Sequence, residues 1–548
     1  MKASKLSIFY LGFILFFDTG AYGYQINGSV VDVRNNPVSY AIVRAQATDI
    51  KTMTDLNGNF TLKLTQAKEI TLTAWKEGYI NSGLKLTSGH KDVIIKLKPV
   101  PLYDNKDYQW IHPDPPTIFQ KFYIVFWNII AFITRDEKLN SRFKDNCSNC
   151  HSSFIFAQWR EDAHSNSARN PVLLTMYNGT DMNGKSGVSP GYRIDFPNSK
   201  GNCSTCHAPA QSIADPWGTD LNEVKGIGRE GIFCDFCHKI KDVELHPDGG
   251  YPGVLSIKFN RPPNGEQIFY GPYDDVIAGP DTFSPLYKKS LFCAPCHSAK
   301  FWDVSIYSEF DEWLNSPYSK EGKECQDCHM SPDGKTTHFA PPEKGGVKRD
   351  PKTIATHTNP GSRDAKFLSD AIKTDLQAER NGDIINVVVR LTNEKAGHHF
   401  PTGVPMRNMI LLVEAKDNRG MDLKYIRGTV VPEWGGAGLI EKGNYAGLPG
   451  KGFAKVLANA SRKYPEFNTE VKFPIPHWRQ AVILSDNRIP ARGTDISHYR
   501  FELNGTEGDC INVKARVIYR RAFKPWIDVK GWQLKDLEIA KKDFKLCN

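Results

Sequence analysis

Ten of the twelve cysteines occur in five Cys-x-x-Cys pairs, and each pair is followed at once by a histidine. A c-type haem needs two thiols for thioether bonds and an adjacent imidazole as an axial iron ligand, and this spacing supplies all three. The sequence therefore predicts five covalently bound haems. The motifs are Cys147, Cys150 and His151; Cys203, Cys206 and His207; Cys234, Cys237 and His238; Cys293, Cys296 and His297; and Cys325, Cys328 and His329.

Other uses of Cys-x-x-Cys explain the pattern less well. A zinc ribbon pairs such units without a histidine beside each, and a thioredoxin-type dithiol occurs once, near a βαβ pattern. The first cysteines of successive motifs are 56, 31, 59 and 32 residues apart, which hints at a duplicated haem-pair unit. So little polypeptide cannot keep five macrocycles apart, and we expect close haems that exchange electrons.

The second axial ligand of each haem decides its chemistry. A second imidazole makes a haem six-coordinate and suited to electron transfer, whereas an open position can bind a substrate. The stretch between His246 and His297 holds no histidine, so one haem can lack a nearby imidazole partner. Met176, Met182 or water is then a candidate sixth ligand, and the alternative is a ligand from far along the chain or from a second molecule. No catalytic residue is assigned. The candidate distal ligands are His164, His246, His338, His357, His398 and His399, whereas His90, His477 and His498 are interpreted as surface or packing residues.

The first 23 residues are typical of a secretory signal peptide. Lys2 and Lys5 precede an apolar run from Leu6 to Phe17, and small residues follow up to Gly23. A run of about a dozen residues is short for a membrane span, which takes about 20. We therefore expect a periplasmic, extracellular or cell-surface protein in a compartment where disulfides form.

The remaining chain divides by pattern into four segments. Residues 24–100 contain short alternating strands with a hairpin signal, typical of a small β-sandwich. Residues 101–135 are a Pro-rich linker with an apolar helix, and residues 136–365 are a mostly helical or irregular pentahaem domain. Residues 366–548 again alternate as strands and predict a second β-sandwich. Cys510 and Cys547, left over by subtraction, are a candidate disulfide, with two reduced thiols as the alternative.

The apolar stretch at 117–134 is interrupted by Asn128, and Lys121 lies near its start, so it is not expected to span a bilayer. The favoured interpretation is a helix that enters at Pro115 and Pro116 and packs on the haem core. Contact with a membrane surface is the alternative.

Two resemblances to known families support this division. "INGSVVDVRNNPVSY", "DLNGNF" and "EGYI" resemble the carboxypeptidase regulatory-like domain, which implies an adhesion or spacer module without chemistry of its own. "GIFCDFCH", "EW…SPY…CQDCHM" and "GHHFPTG" resemble the multihaem cytochromes related to tetrahaem cytochrome and hydroxylamine oxidoreductase. That family implies stacked, mostly bis-histidine haems, and in some members one five-coordinate haem. It implies His398 or His399 as an axial ligand. A histidine that relatives often have before the fourth motif is missing from "AGPDTFSPLYKKSLFCAPCH".

The formal net charge of +9 does not indicate nucleic-acid binding, because haem propionates offset much of it. We expect redox proteins, including other cytochromes, as partners. Three functions stay open: a pentahaem electron carrier, which is favoured; an oxidoreductase of a small inorganic nitrogen or sulfur substrate at one open haem; and a subunit of an extracellular cytochrome filament, which would require self-association.

Overall fold

The computed structural model describes residues 24–64, 69–87, 92–115, 146–151, 154–246, 251–459, 472–503 and 510–547, with scattered residues between 118 and 134. The predicted signal peptide and His90 lie outside the described residues. The chain forms two compact units, of which one holds residues 24–100 and 273–283 and the other holds residues 101–272 and 284–548.

The first unit contains two sheets, with strand orders β4-β1-β7 and β3-β2-β5-β6. Alternation places Phe60, Leu62 and Leu64 in the core and their neighbours in solvent, as the period of two in the sequence predicts. The strands are β1 (Tyr24–Asp32), β2 (Ile42–Ala45), β3 (Lys51–Met53), β4 (Asn59–Leu64), β5 (Ile70–Trp75), β6 (Ser82–Leu86) and β7 (Asp92–Leu97).

Residues 273–283, from between the third and fourth motifs, belong to this first unit and include β11 (Asp281–Phe283). Arg44 binds Asp274 with two hydrogen bonds of 2.8 and 2.9 Å, and Asn81 Nδ2 donates to the carbonyl oxygen of Val276 at 2.9 Å. Residues 278–283, the start of the stretch that lacks the expected histidine, therefore belong to the N-terminal unit.

In the second unit all five motifs lie on helices of one turn, and the strands of the haem segment are short. This segment contains β8 (Ile240–Val243), β9 (Ile257–Phe259), β10 (Phe269–Gly271), β12 (Ala299–Phe301) and β13 (Val304–Tyr307). The helices are α1 (Cys147–His151), α2 (Ile155–Glu161), α3 (Pro171–Asn178), α4 (Tyr192–Asp195), α5 (Ser204–His207), α6 (Pro209–Ser212), α7 (Cys234–Cys237), α8 (Ala294–His297), α9 (Glu309–Leu314), α10 (Pro317–Lys320), α11 (Cys325–His329), α12 (Ala365–Ala371) and α13 (Lys524–Lys530).

The C-terminal part of this unit has two four-stranded sheets, β14-β15-β21-β17 and β18-β16-β22-β23, and the pair β19-β20. Side chains that alternate along β15 and β22 form one hydrophobic core. The predicted fold class is thereby confirmed. The strands are β14 (Ile372–Asn381), β15 (Ile384–Asn393), β16 (Asn408–Asp417), β17 (Lys424–Arg427), β18 (Gly450–Phe453), β19 (Lys455–Asn459), β20 (Ala481–Asp486), β21 (Thr494–Glu502), β22 (Cys510–Arg520) and β23 (Leu537–Cys547).

Cys510 and Cys547 are paired positions at the ends of β22 and β23, and they form a disulfide with an S–S distance of 2.01 Å. The bond closes a loop between residues 37 positions apart. It ties the last strand of the chain to the C-terminal core.

The expected packing of an apolar helix at 117–134 on the haem core stays a prediction. Six large apolar residues between 118 and 133 are helical and more than half exposed. At 3.6 residues per turn they fall within an arc of about 100°. Among the described residues, no helix meets the length and apolarity needed to cross a membrane. The six are Ile118, Phe122, Val125, Phe126, Ile129 and Ile133.

The alternation along β15 gives a stability prediction. Val389 is fully buried, whereas Val388 points to the other face of the sheet and is half-buried. Val389→Ala should lower the free energy of unfolding by about 2 kcal/mol through lost burial and a cavity, and Val388→Ala should lower it by clearly less. Urea unfolding followed by circular dichroism measures both, and equal losses would contradict the assigned faces.

Candidate haem-binding site

The ten motif cysteines are unpaired thiols, in contrast to Cys510 and Cys547. Nine of them are partly exposed and Cys328 is exposed, and desolvation raises the pKa of Cys203 and of Cys237 to about 12. Free thiols on single-turn helices, each followed by an imidazole, are the groups that haem attachment requires. The residues present therefore fit c-type haem.

Thiols of different motifs lie beside one another. The hydrogen bond from Cys234, with burial, raises the pKa of Cys147. These hydrogen-bonded thiols connect the first motif to the third, the second to the fourth, and the fourth to the fifth. These pairs are Cys147 with Cys234, Cys206 with Cys296, and Cys293 with Cys325. The attachment points are therefore neighbours in space, as the short spacing in sequence predicted.

Three motif histidines are oriented by backbone carbonyls. His151 Nδ1 lies 2.7 Å from the oxygen of Phe339, His238 Nδ1 lies 2.7 Å from that of Tyr270, and His329 Nδ1 lies 2.8 Å from that of Pro360. An Nδ1–H group that donates to a carbonyl fixes the tautomer and leaves the Nε2 lone pair for a metal. The three imidazoles are therefore arranged as iron ligands.

His297 has a carboxylate neighbour instead. Its Nδ1 atom lies 3.6 Å from Glu309 Oε1. Burial alone would raise the pKa of Glu309, but the interaction with His297 and the charge of Arg407 bring it to about 2. Glu309 is the first residue of α9, which follows β13 directly. The fourth motif thus has an ionised side chain beside its histidine.

Two predicted distal histidines face motif histidines at one common distance. The ring centres of His164 and His297 are 6.4 Å apart, and those of His329 and His398 are also 6.4 Å apart. A metal–imidazole bond of about 2 Å on each side places the centres of two imidazoles that share one ion about 6 Å apart. Both pairs therefore have the spacing of bis-histidine ligation, and the pair at the fourth motif is completed from the first motif's neighbourhood.

His357 lies between the first and third motifs. Burial, followed by the charges of His238 and His151, lowers the pKa of His357 to about 4. Its Nδ1 atom is buried without a hydrogen-bond partner among the described residues. A neutral imidazole is the form that binds iron, so His357 can serve a haem of either motif.

Three other candidates are placed differently. His246 is exposed and its ring packs 4.5 Å from that of Tyr251. His338 Nδ1 is bonded to Thr337 Oγ1 at 2.9 Å. The backbone N–H of His399 donates to Glu312, and its Nδ1 atom lies 3.7 Å from the same carboxylate. Of the two residues in the doublet, His398 is thus the one whose ring lies near a motif histidine, His329.

His477, interpreted from sequence as a surface or packing residue, packs against the rings of Phe301, Tyr307 and Trp478. Burial, followed by the charge of His207, lowers the pKa of His477 to about 4, so the two imidazoles are neighbours. His477 Nε2 is 3.0 Å from Tyr307 Oη. Burial and the thiols of Cys203 and Cys206 raise the pKa of Tyr307. His477 lies 270 positions after the second motif, and no pattern in the sequence joins the two.

Comparisons with known proteins agree with this site. Residues 146–239 match the family model "Cytochrome c554 and c-prime". Residues 26–101 match the model of the CarboxypepD_reg-like domain. The fold resembles that of a penta-heme cytochrome c552 from Thermochromatium tepidum, at a TM-score of 0.51 and 18% identity over 73% of this chain and 97% of that one.

Two further matches have TM-scores too low to support a conclusion about fold. A cohesin–X-dockerin complex of Acetivibrio cellulolyticus gives a TM-score of 0.12 at 21% identity, covering 14% of this chain and 52% of that one. The Fcho1 Mu homology domain of Danio rerio gives 0.13 at 10% identity, covering 32% and 49%. No curated protein matches the chain. The link to hydroxylamine oxidoreductase stays a prediction.

The histidine doublet provides a matched test of the ligand geometry. His398→Ala should convert one low-spin haem to high-spin, because it removes the imidazole that faces His329. His399→Ala should leave all spin states unchanged. Low-temperature electron paramagnetic resonance (EPR) of the two ferric variants measures this. A high-spin signal in His399→Ala and none in His398→Ala would reverse the assignment.

Proposed function

We propose that the protein is a pentahaem c-type cytochrome that relays electrons outside the cytoplasm. The observation that carries this proposal is the distance of 6.4 Å between ring centres in two histidine pairs. Each pair consists of one motif histidine and one histidine outside the motifs. When bound, c-type haem supplies a one-electron Fe(III)/Fe(II) couple. The residues described above determine what each couple can do.

His164 with His297, and His329 with His398, would each hold one iron. An iron held by two imidazoles would have no place for a substrate and would supply electron exchange alone. The carbonyl partners of His151, His238 and His329 hold those imidazoles in one orientation. A rigid ligand set favours electron transfer because little has to move when the iron changes its charge.

The contacts between thiols suggest the route of the electrons. The first motif adjoins the third, and the fourth adjoins both the second and the fifth. The thiol of Cys237 also acts on the thiols of Cys293 and Cys296, so the third motif lies near the fourth. The motifs can thus form one connected relay, with the fourth at the branch.

Location and partners follow from chemistry that the sequence carries. The signal-peptide pattern of residues 1–23 favours export, and a protein with five haems exchanges electrons with other redox proteins. We propose periplasmic or cell-surface cytochromes as its partners. The N-terminal sandwich has no redox group and would serve in positioning.

Haem content and electron capacity test the proposal together. The mass of the purified protein should exceed that of its polypeptide by five haems, and coulometric reduction should take up five electrons per chain. Replacing Cys293 and Cys296 by Ala should remove one haem and one electron. Fewer than five of either in the unmodified protein would contradict the pentahaem assignment.

The second motif favours a further candidate function. The Nε2 atom of His477, an imidazole near His207, is hydrogen-bonded to Tyr307. A haem held at Cys203 and Cys206 would then have a phenol and an imidazole beside it and could leave its iron open to a small ligand. Such a site suits a small inorganic nitrogen or sulfur substrate, because both side chains can donate hydrogen bonds or protons to its oxygen or nitrogen atoms.

Ligand binding distinguishes this candidate from a pure relay. Hydroxylamine or cyanide should shift the optical spectrum of the ferric protein, and Tyr307→Phe should weaken that binding by removing the hydroxyl. Tyr287→Phe is the matched control, since this buried tyrosine packs on His238 of another motif. A spectrum unchanged by both ligands would leave the relay as the sole function.

A further inference from the structure

The two histidine pairs have the same distance between ring centres, but the groups next to their Nδ1 atoms differ. In both pairs the ring centres are 6.4 Å apart. The Nδ1 atom of a ligand histidine is its second hydrogen-bonding group, and its partner tunes how strongly the imidazole donates to iron. These partners are carboxylates in one pair and backbone carbonyls in the other.

At the fourth motif both imidazoles face carboxylates. His164 Nδ1 is 2.7 Å from Oδ2 of Asp162, whose side chain is 2% exposed. His297 Nδ1 is 3.6 Å from Oε1 of Glu309, whose side chain is 16% exposed. Asp162 also accepts a hydrogen bond of 3.1 Å from the neutral amide of Asn359. A buried carboxylate, that of Asp162, is thus hydrogen-bonded to one ligand, and the partly exposed carboxylate of Glu309 lies near the other.

At the fifth motif both imidazoles face neutral groups. His329 Nδ1 is 2.8 Å from the carbonyl oxygen of Pro360, and His398 Nδ1 is 2.9 Å from that of His399. The two sites therefore share their ligand type and their spacing. They differ by two formal charges at the outer nitrogens.

Charge at this position acts on the redox equilibrium. A carboxylate increases the basicity of the imidazole that it accepts from. It also stabilises ferric iron over ferrous iron, because the ferric site carries one more positive charge and a buried site screens charge weakly. Arg407 offsets part of this effect at Glu309. The other hydrogen bonds that Asp162 accepts come from neutral N–H groups, those of Ala163 and Asn359.

We infer that Asp162 and Glu309 lower the reduction potential of the haem at Cys293 and Cys296 below that of its neighbour at Cys325 and Cys328. This inference rests on the proposed function. An electron shared by the two sites would then favour the haem held by the fifth motif. Cys328 of that motif is the exposed thiol among the ten.

Potentiometric titration of the full-length holoprotein, followed by EPR, tests the inference. Asp162→Asn and Glu309→Gln should each raise the potential of the same low-spin haem. A tenfold change in its reduction equilibrium corresponds to about 59 mV. Asp311→Asn is the matched control, because this carboxylate lies on the same helix α9 but is bonded to Ser298. It should leave all potentials unchanged.

His164→Ala identifies the haem in question, since it should turn that low-spin signal into a high-spin one. If His164→Ala leaves every signal low-spin, the ligand assignment in the proposed function fails, and the inference fails with it. If the signal converts but neither Asp162→Asn nor Glu309→Gln shifts a potential, the inference alone is wrong. Glu309→Gln provides the test should the buried Asp162→Asn variant not fold.

Discussion

An imidazole binds a metal along the lone pair of one ring nitrogen, so two histidines that share an iron must face each other across a gap of fixed width. The rest of this structure depends on that constraint. His164 reaches the fourth motif from the end of α2, and His398 reaches the fifth from the loop after β15. The loop after β15 therefore brings a candidate ligand next to the fifth motif.

The same constraint bears on the histidine that was expected before the fourth motif. The stretch "AGPDTFSP" lacks the expected histidine, and residues 273–283 lie instead in the N-terminal unit, where Arg44 binds Asp274. The fourth motif is not left without a partner, because His164 faces His297. Residues 273–283 thus pack within the N-terminal unit, and the imidazole near His297 comes from elsewhere in the sequence.

Local patterns could predict much of this arrangement. The five motifs follow from spacing, and the alternation of Ile511, Val513 and Ala515 indicates a half-buried strand. Cys510 and Cys547 follow by subtraction. Sequence could not distinguish His398 from His399, because backbone direction within a turn decides which ring points to His329.

Contacts between residues far apart in the chain could not be predicted from the sequence. His477 comes near His207 through the packing of elements that are far apart in the chain.

The most direct test of the account is a crystal structure of the holoprotein with iron located by anomalous scattering. We predict one iron between His164 and His297 and another between His329 and His398, each bound by both imidazoles. An iron with a different sixth ligand at both sites would contradict the proposed relay.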